Sequence, residues 1–328
     1  MIKYIIKRIF YMIPTLIGIS ILSFFIIQLP PGDYLTAKIA GLAEQGQTID
    51  VATLDAMKAR YGLDRPIIVQ YWKWISGIVF RGDFGESFEW NRPVTQMIWG
   101  RLGLTFVLSL ITLIFIWIIA FPVGIYSAVK KYSLGDYVFT FFGFIGLAIP
   151  NFLFALTLMY FAFSKLGLSV GGLFSPKFQE APWSWSKFVD LMQHIWIPMI
   201  VLGLSGTASL IRTMRANLMD ELKKPYVETA RAKGLTENRL LVKYPVRVAL
   251  NPFISTVGWI LPTLVSGSTV VSIVLNLPTT GPLLLRSLQS QDMYLAGSFI
   301  LLLSTLTVIG TLISDILLAL ADPRIRFS

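Results

Sequence analysis

An all-α integral membrane protein with six transmembrane helices is the fold class this sequence predicts, and three observations predict it. Apolar residues make up 55% of the 328-residue chain and charged residues only 14%, whereas soluble domains carry about a quarter charged. Six stretches hold no Asp, Glu, Lys or Arg: residues 9–29, 102–129, 137–164, 191–211, 248–285 and 293–314. Each is long enough to cross a hydrocarbon core, which takes about 20 residues of helix. Finally, the charges that remain are sorted by loop. The N-terminus, the 130–136 loop, the 212–247 loop and the C-terminus hold most of the Lys and Arg excess behind the formal net charge of +10. An even number of spans puts these four segments on one side, which the positive-inside rule makes cytoplasmic, with both termini there. Attraction to anionic lipid heads accounts for the same charge without nucleic acid.

The first span begins MIKYIIKRIF, a basic front like that of a signal peptide. The apolar run behind it is a full span and stops at Pro30-Pro31-Gly32-Asp33 without a small-residue cleavage site, so it reads as a retained signal anchor. Residues 1–30 form this first unit, and 31–100 an external segment. Within it, Val51, Leu54, Met57 and Tyr61 of VATLDAMKARYGLD recur at helical spacing before a stop at Gly62. IIVQYWKWISGIVF follows, apolar and aromatic enough to lie along a membrane surface, with Trp72 and Trp74 suited to the headgroup boundary. A small cap on the bundle and a docking surface for an external partner both fit this segment. The rest, 101–328, holds five spans and a cytoplasmic loop at 216–247. Two further external loops contain GGLFSP with PWSWS, and the 277–292 stretch.

That cytoplasmic loop is the most structured polar part of the chain. Pro225 suits a first helical position. Glu228 falls in the first turn, and Arg231 and Lys233 in the last, each complementing the helix dipole. Gly234 suits a left-handed cap. Thr236 can then cap a second helix over 237–243, leading to Pro245. A helix as short as YVETARAK is unstable alone and has to pack on something. Two roles fit it: a connector resting on its own bundle or on lipid heads, or a ball that enters a socket on a soluble subunit.

Here the sequence resembles a known family. ETARAKG is similar to the E-A-A-x-x-x-G signature of permease subunits in bacterial ATP-binding-cassette importers, and PYVETARAKGL to their dipeptide/oligopeptide branch. LPPGD, GDFGES at 82–87, RLGLT at 101–105, AIPNF at 148–152 and SDILLALADPRIR extend the resemblance along essentially the whole chain. The resemblance implies a type I importer permease fold in the inner membrane, forming half of a translocation pathway. It implies as partners a second, homologous permease, two ATPase subunits that bind ATP and Mg, and an extracytoplasmic solute-binding protein. It makes the 225–234 helix the coupling helix, with Tyr226, Glu228, Thr229, Ala230, Lys233 and Gly234 as the ATPase-coupling residues; Thr229 stands where the first alanine is usual. Short peptides are the implied cargo. Ser272 and Thr279 in VVSIVLNLPTTG replace a glutamate and a glycine usual in peptide permeases, so oligosaccharides, which relatives in this branch carry, stand as the alternative. No substrate-binding residue is assigned.

The remaining chemistry is sparse. The chain has no G-x-x-x-x-G-K-[ST] phosphate loop, so ATP hydrolysis belongs to another subunit and this one is not an enzyme by itself. It has no cysteine and one histidine, His194, and no cluster with metal-ligand spacing. GDFGES lacks the spacing of a nucleophile elbow. Asp315, the one carboxylate placed inside an apolar helix, sits near the cytoplasmic end and reads as a structural contact. An ion-driven carrier would need more intramembrane acids than this. Pro14, Pro122, Pro150, Pro198, Pro252 and Pro262 permit bends within spans.

Overall fold

The computed structural model describes residues 2–29, 65–167, 171–251, 253–254 and 269–321. Their secondary structure is helical: α1 (Ile2–Ile27), α2 (Ile67–Arg81), α3 (Val94–Val129), α4 (Leu134–Ala148), α5 (Asn151–Leu166), α6 (Trp185–Glu221), α7 (Pro225–Ala232), α8 (Glu237–Lys243), α9 (Pro245–Ala249), α10 (Thr269–Val274), α11 (Thr280–Gln289) and α12 (Met293–Ala321). A 3-10 turn at Pro176–Phe178 and an isolated bridge between Glu86 and Pro93 complete the description. Within α1, α3, α6 and α12 lie helices long and apolar enough to cross a membrane, and the bent pair α4–α5 adds a fifth if counted as one span. Within the remaining expected span, 248–285, residues 252 and 255–268, with Pro252 and Pro262, lie outside the described residues, as do the 51–64 helix, Pro31–Asp33 and the DPRIR end.

The bend departs from the single uncharged run read at 137–164. Helices α4 and α5 turn through 104° at a two-residue break. Pro150 causes it: the ring lacks an N–H and pushes the residue before it out of the helical region. Ile149 is accordingly extended at φ −81°, ψ 123°, and α5 restarts at Asn151. This is the AIPNF motif, and its physical content is a corner. At 1.5 Å per residue each arm is roughly 22–24 Å long, short of the about 30 Å hydrocarbon core.

The chain divides into two compact units. The larger holds residues 106–278 and 309–328 with the first five. Its core joins α3, α6 and α9 through Ile116, Ala120, Ala128, Leu210, Met214, Leu218, Val246, Ala249 and Phe253. Gly124 lets α3 and α6 approach, since a Cβ there would fall 2.6 Å from that of Met214; small residues at such crossings are how membrane helices gain dispersion contacts. Phe121 and Phe253 close the cluster with ring centroids 4.8 Å apart.

The smaller unit comprises residues 6–105 and 279–308. Phe24, Trp74, Phe88 and Met293 form one buried cluster, and Val94, Ile98, Leu283, Leu295 and Phe299 another. Two of the quoted motifs find physical roles here. In RLGLT, the Thr105 hydroxyl donates to the Arg101 carbonyl (2.8 Å) and accepts from the Thr280 backbone N–H (3.0 Å), satisfying an otherwise unpaired donor at the start of α11. In GDFGES, Ser87 donates to the Asp292 carboxylate at 2.5 Å, while the other oxygen of Asp292 accepts from the Leu295 N–H and so caps α12.

Asp292 is fully buried. Burial raises its pKa above the ordinary carboxylate value, outweighing the hydrogen bonds from Ser87, Leu295, Glu89 and Phe88 that favour the ionised form. A carboxyl raised in the folded state binds its proton more tightly there. Its stabilisation is therefore complete below the unfolded value, about pH 4, and is lost as pH rises through the folded one. Asp292→Asn is expected to reduce the loss of thermal stability between pH 4 and pH 8, measured as the apparent Tm of the purified protein. An unchanged pH slope in the variant would count against this assignment.

Candidate functional site

The helix–turn–helix foreseen at 225–243 is present. Pro225 opens α7 at its first position, where its missing N–H costs no bond. Thr229 turns its hydroxyl back to the Pro225 carbonyl at 2.9 Å. The helix ends in a Schellman motif: Gly234 N–H donates to Arg231 O (3.0 Å) and Leu235 N–H to Ala230 O (3.4 Å). Gly234 is left-handed, at φ +78°. Leu235 then packs beside Val227, Ala230, Leu240 and Tyr244, so α7 and α8 share a small apolar core of their own. Thr236 occupies the N-cap position of α8 without a side-chain cap bond.

This packing sorts the expected coupling residues. Tyr226, Glu228, Thr229, Lys233 and Gly234 are exposed, whereas Ala230 is 7% exposed and faces Val227 and Leu240. Ala230 thus closes the helix pair, and the outer surface is polar and mixed in charge around Ala232. Two contacts invisible in the sequence hold that surface. Arg231 pairs with Glu237 across the turn; the pair lowers the Glu237 pKa and raises that of Arg231. The six-residue separation matches no helical repeat, so no pattern announced it. Tyr226 donates to Glu221, the last residue of α6, at 2.6 Å, and burial together with that carboxylate raises the Tyr226 pKa.

One and a half turns deeper in α6, Arg215 grips Asp136 at the start of α4. Nε reaches Oδ1 at 2.9 Å and Nη2 reaches Oδ2 at 2.8 Å, the two-pronged geometry of a strong guanidinium–carboxylate pair. Asp136 also accepts from the Tyr132 N–H (2.9 Å), and Ser133 caps α4 by accepting from the Asp136 N–H. In the sequence Asp136 only bounds an uncharged run, and Arg215 is one more basic residue of the 212–247 loop. Their sequence separation of 79 left no local signal. A line of contacts therefore runs from α7 through Tyr226 and Glu221 along α6 to Arg215, Asp136 and α4.

The arrangement presents a braced polar knob between long apolar helices. Among the described residues no three His, Cys, Asp or Glu side chains gather as metal ligands. Such a fold and knob define a helical membrane protein that presents a polar loop between its long apolar helices. The comparisons give the family. Residues 120–327 match the binding-protein-dependent transport system inner membrane component, and residues 1–110 match its N-terminal membrane component. The chain belongs to this family of membrane permeases. It is 38% identical over 329 residues to the oligopeptide transport system permease protein AppB of Bacillus subtilis (strain 168), covering 100% of both chains. It is 32% identical over 327 residues to the glutathione transport system permease protein GsiC of Escherichia coli (strain K12), again covering 100% of both.

Proposed function

We propose that this chain is the peptide-conducting permease of an ATP-driven importer and meets its ATPase through α7. The supporting observation is the self-terminated α7–α8 knob, which has its own core, an exposed polar face at Tyr226, Glu228, Thr229, Lys233 and Gly234, and a hydrogen-bonded link into α6. A connector resting passively on its bundle would not need a separate core and an outward polar face. The oligopeptide and glutathione permeases to which the chain is similar turn the reading of the cargo toward short peptides rather than oligosaccharides.

In this reading, residues 1–30 supply the first span, 31–100 the external segment and 101–328 the permease core with its coupling loop at 216–247. Both termini are cytoplasmic. The chain pairs with a second, homologous permease, and each docks on one of two ATPases that bind ATP and Mg. Closure of the ATPases on ATP draws the coupling helices together and favours the arrangement open to a loaded solute-binding protein; ADP release favours the inward-open one. Nucleotide moves the helices only to the extent that it binds the two arrangements unequally.

The test is purification of the tagged chain in gentle detergent with mass spectrometry of its companions. Recovery of a second permease, ATPases and a binding protein carrying a peptide is the expected result. A chain recovered alone and transporting on an ion gradient without ATP would refute the proposal, and a saccharide on the binding protein would refute its cargo.

A further inference from the structure

Helix α2 has two apolar faces, and only one is covered. Gln70 and Trp74 are buried, and Tyr71 and Ile78 pack beside them on Phe24 and Phe88. On another face Ile68, Trp72 and Val79 stand 64%, 65% and 65% exposed. Their spacing, i, i+4 and i+11, falls on one stripe of a 3.6-residue helix. Beside this stripe Phe80 is the most exposed large apolar side chain of the described residues, at 83%.

The depth of α2 is fixed by its contacts with α1. The Tyr71 hydroxyl meets the Ser20 hydroxyl at 2.8 Å, the Phe24 ring lies 5.4 Å from Tyr71 and 5.5 Å from Trp74, and Gln28 reaches Gln70 at 3.3 Å. Ser20 lies about 10 Å short of the end of α1 at 1.5 Å per residue. Helix α2 is therefore held beside the last two turns of a membrane span. Those same turns leave Leu22, Phe25 and Ile26 uncovered. A flank of α2 lines a cavity of about 300 Å³ with Lys73, Ser76, Gly77 and Arg81, opposite Asp83, Glu86 and Tyr294. Lys73 and Arg81 are exposed at its wall.

We infer that α2 is seated in the bilayer leaflet at the C-terminal end of α1, with Ile68, Trp72 and Val79 among the acyl chains and Lys73 and Arg81 holding a phospholipid phosphate in the cavity beside them. An interfacial helix of this kind buries one apolar stripe about 5–10 Å into the headgroup boundary, with aromatic rings at that level and cations on the lipid phosphates. The end of α1 on which α2 packs also leaves apolar side chains uncovered. Guanidinium and ammonium groups fit a phosphate, the guanidinium through paired N–H donors. The inference goes beyond the transport reading and rests only on α1 being a span.

The chain has no cysteine, so a nitroxide can be placed at one position by Ile68→Cys, Trp72→Cys or Val79→Cys. The complete importer, with cysteine-free partner subunits, is reconstituted in phosphatidylethanolamine–phosphatidylglycerol vesicles. Collisions of each label with oxygen, which concentrates in lipid, and with a water-soluble nickel complex are compared with those at Arg92→Cys on the exposed loop. A higher oxygen-to-nickel ratio on the α2 stripe than at position 92 is expected. A ratio equal to that at position 92 would place the stripe in water, and loss of access to both reagents would place a protein partner over it; either overturns the inference. Lys73→Ala with Arg81→Ala is expected to strip bound phospholipid from the detergent-purified importer, measured as phosphorus per protein. Unchanged phosphorus in a correctly assembled double variant would overturn the headgroup site.

Discussion

Gly234→Val is expected to abolish ATP-driven peptide uptake while the chain still inserts into the membrane, whereas Gly234→Asn retains most of it. The reason is conformational. A Cβ at Gly234 would meet no atom within 4 Å, so space is not limiting. The backbone sits at φ +78°, where an L side chain costs about 1–2 kcal/mol and asparagine the least. A β-branched residue adds to that cost. The turn would relax by giving up the bonds from Gly234 to Arg231 and from Leu235 to Ala230. With them goes the packing of Leu235 on Val227, Ala230 and Leu240 that sets α8 against α7. Uptake into vesicles and ATPase stimulation by loaded binding protein measure the outcome. Equal uptake by the valine and asparagine variants would refute a coupling role for the turn.

Removing the guanidinium of Arg215 is expected to destabilise the protein more than removing the carboxylate of Asp136, although both break the same pair. The asymmetry follows from burial. The Asp136 side chain is 2% exposed and that of Arg215 27%. Arg215→Ala strands a buried carboxylate, a cost of about 3 kcal/mol. Asp136→Ala leaves a long cationic side chain that can extend to water or headgroups, and costs about 1.5 kcal/mol in lost charged hydrogen bonds. The double variant is expected to be more stable than Arg215→Ala alone, because the stranded charge is gone. Apparent Tm of the purified protein in detergent gives the order. A double variant less stable than both singles would show that the pair is not what holds α4 to α6.

The helical membrane architecture and the α7–α8 knob were legible because their causes are local. Uncharged length marks a span, and Pro225, Gly234 and the Glu228–Arg231 polarity mark a short capped helix. The legible part stopped where a residue's role depends on a distant partner. The resemblance makes Ala230 one of the coupling residues, but Leu240 and Val227 cover it. The proline at 150 permits a bend, but its 104° size is seen only in the folded chain, where α4 and α5 each contact α6. Ser87 with Asp292 and Thr105 with Thr280 pair across 205 and 175 residues. Their motifs are plain strings in the sequence, and only the folded chain shows that each serves a helix end.

The corner at Pro150 also bears on how the subunit can exist before it is assembled. Helix α5 starts there without a side-chain cap, and the first amides of any helix lack intrahelical acceptors. Fatty-acyl chains offer them none, at several kcal/mol for each group left so. This apex must face protein or a water-filled space. A copy alone in the bilayer therefore needs a protein or water neighbour at this corner, which lipid by itself does not supply.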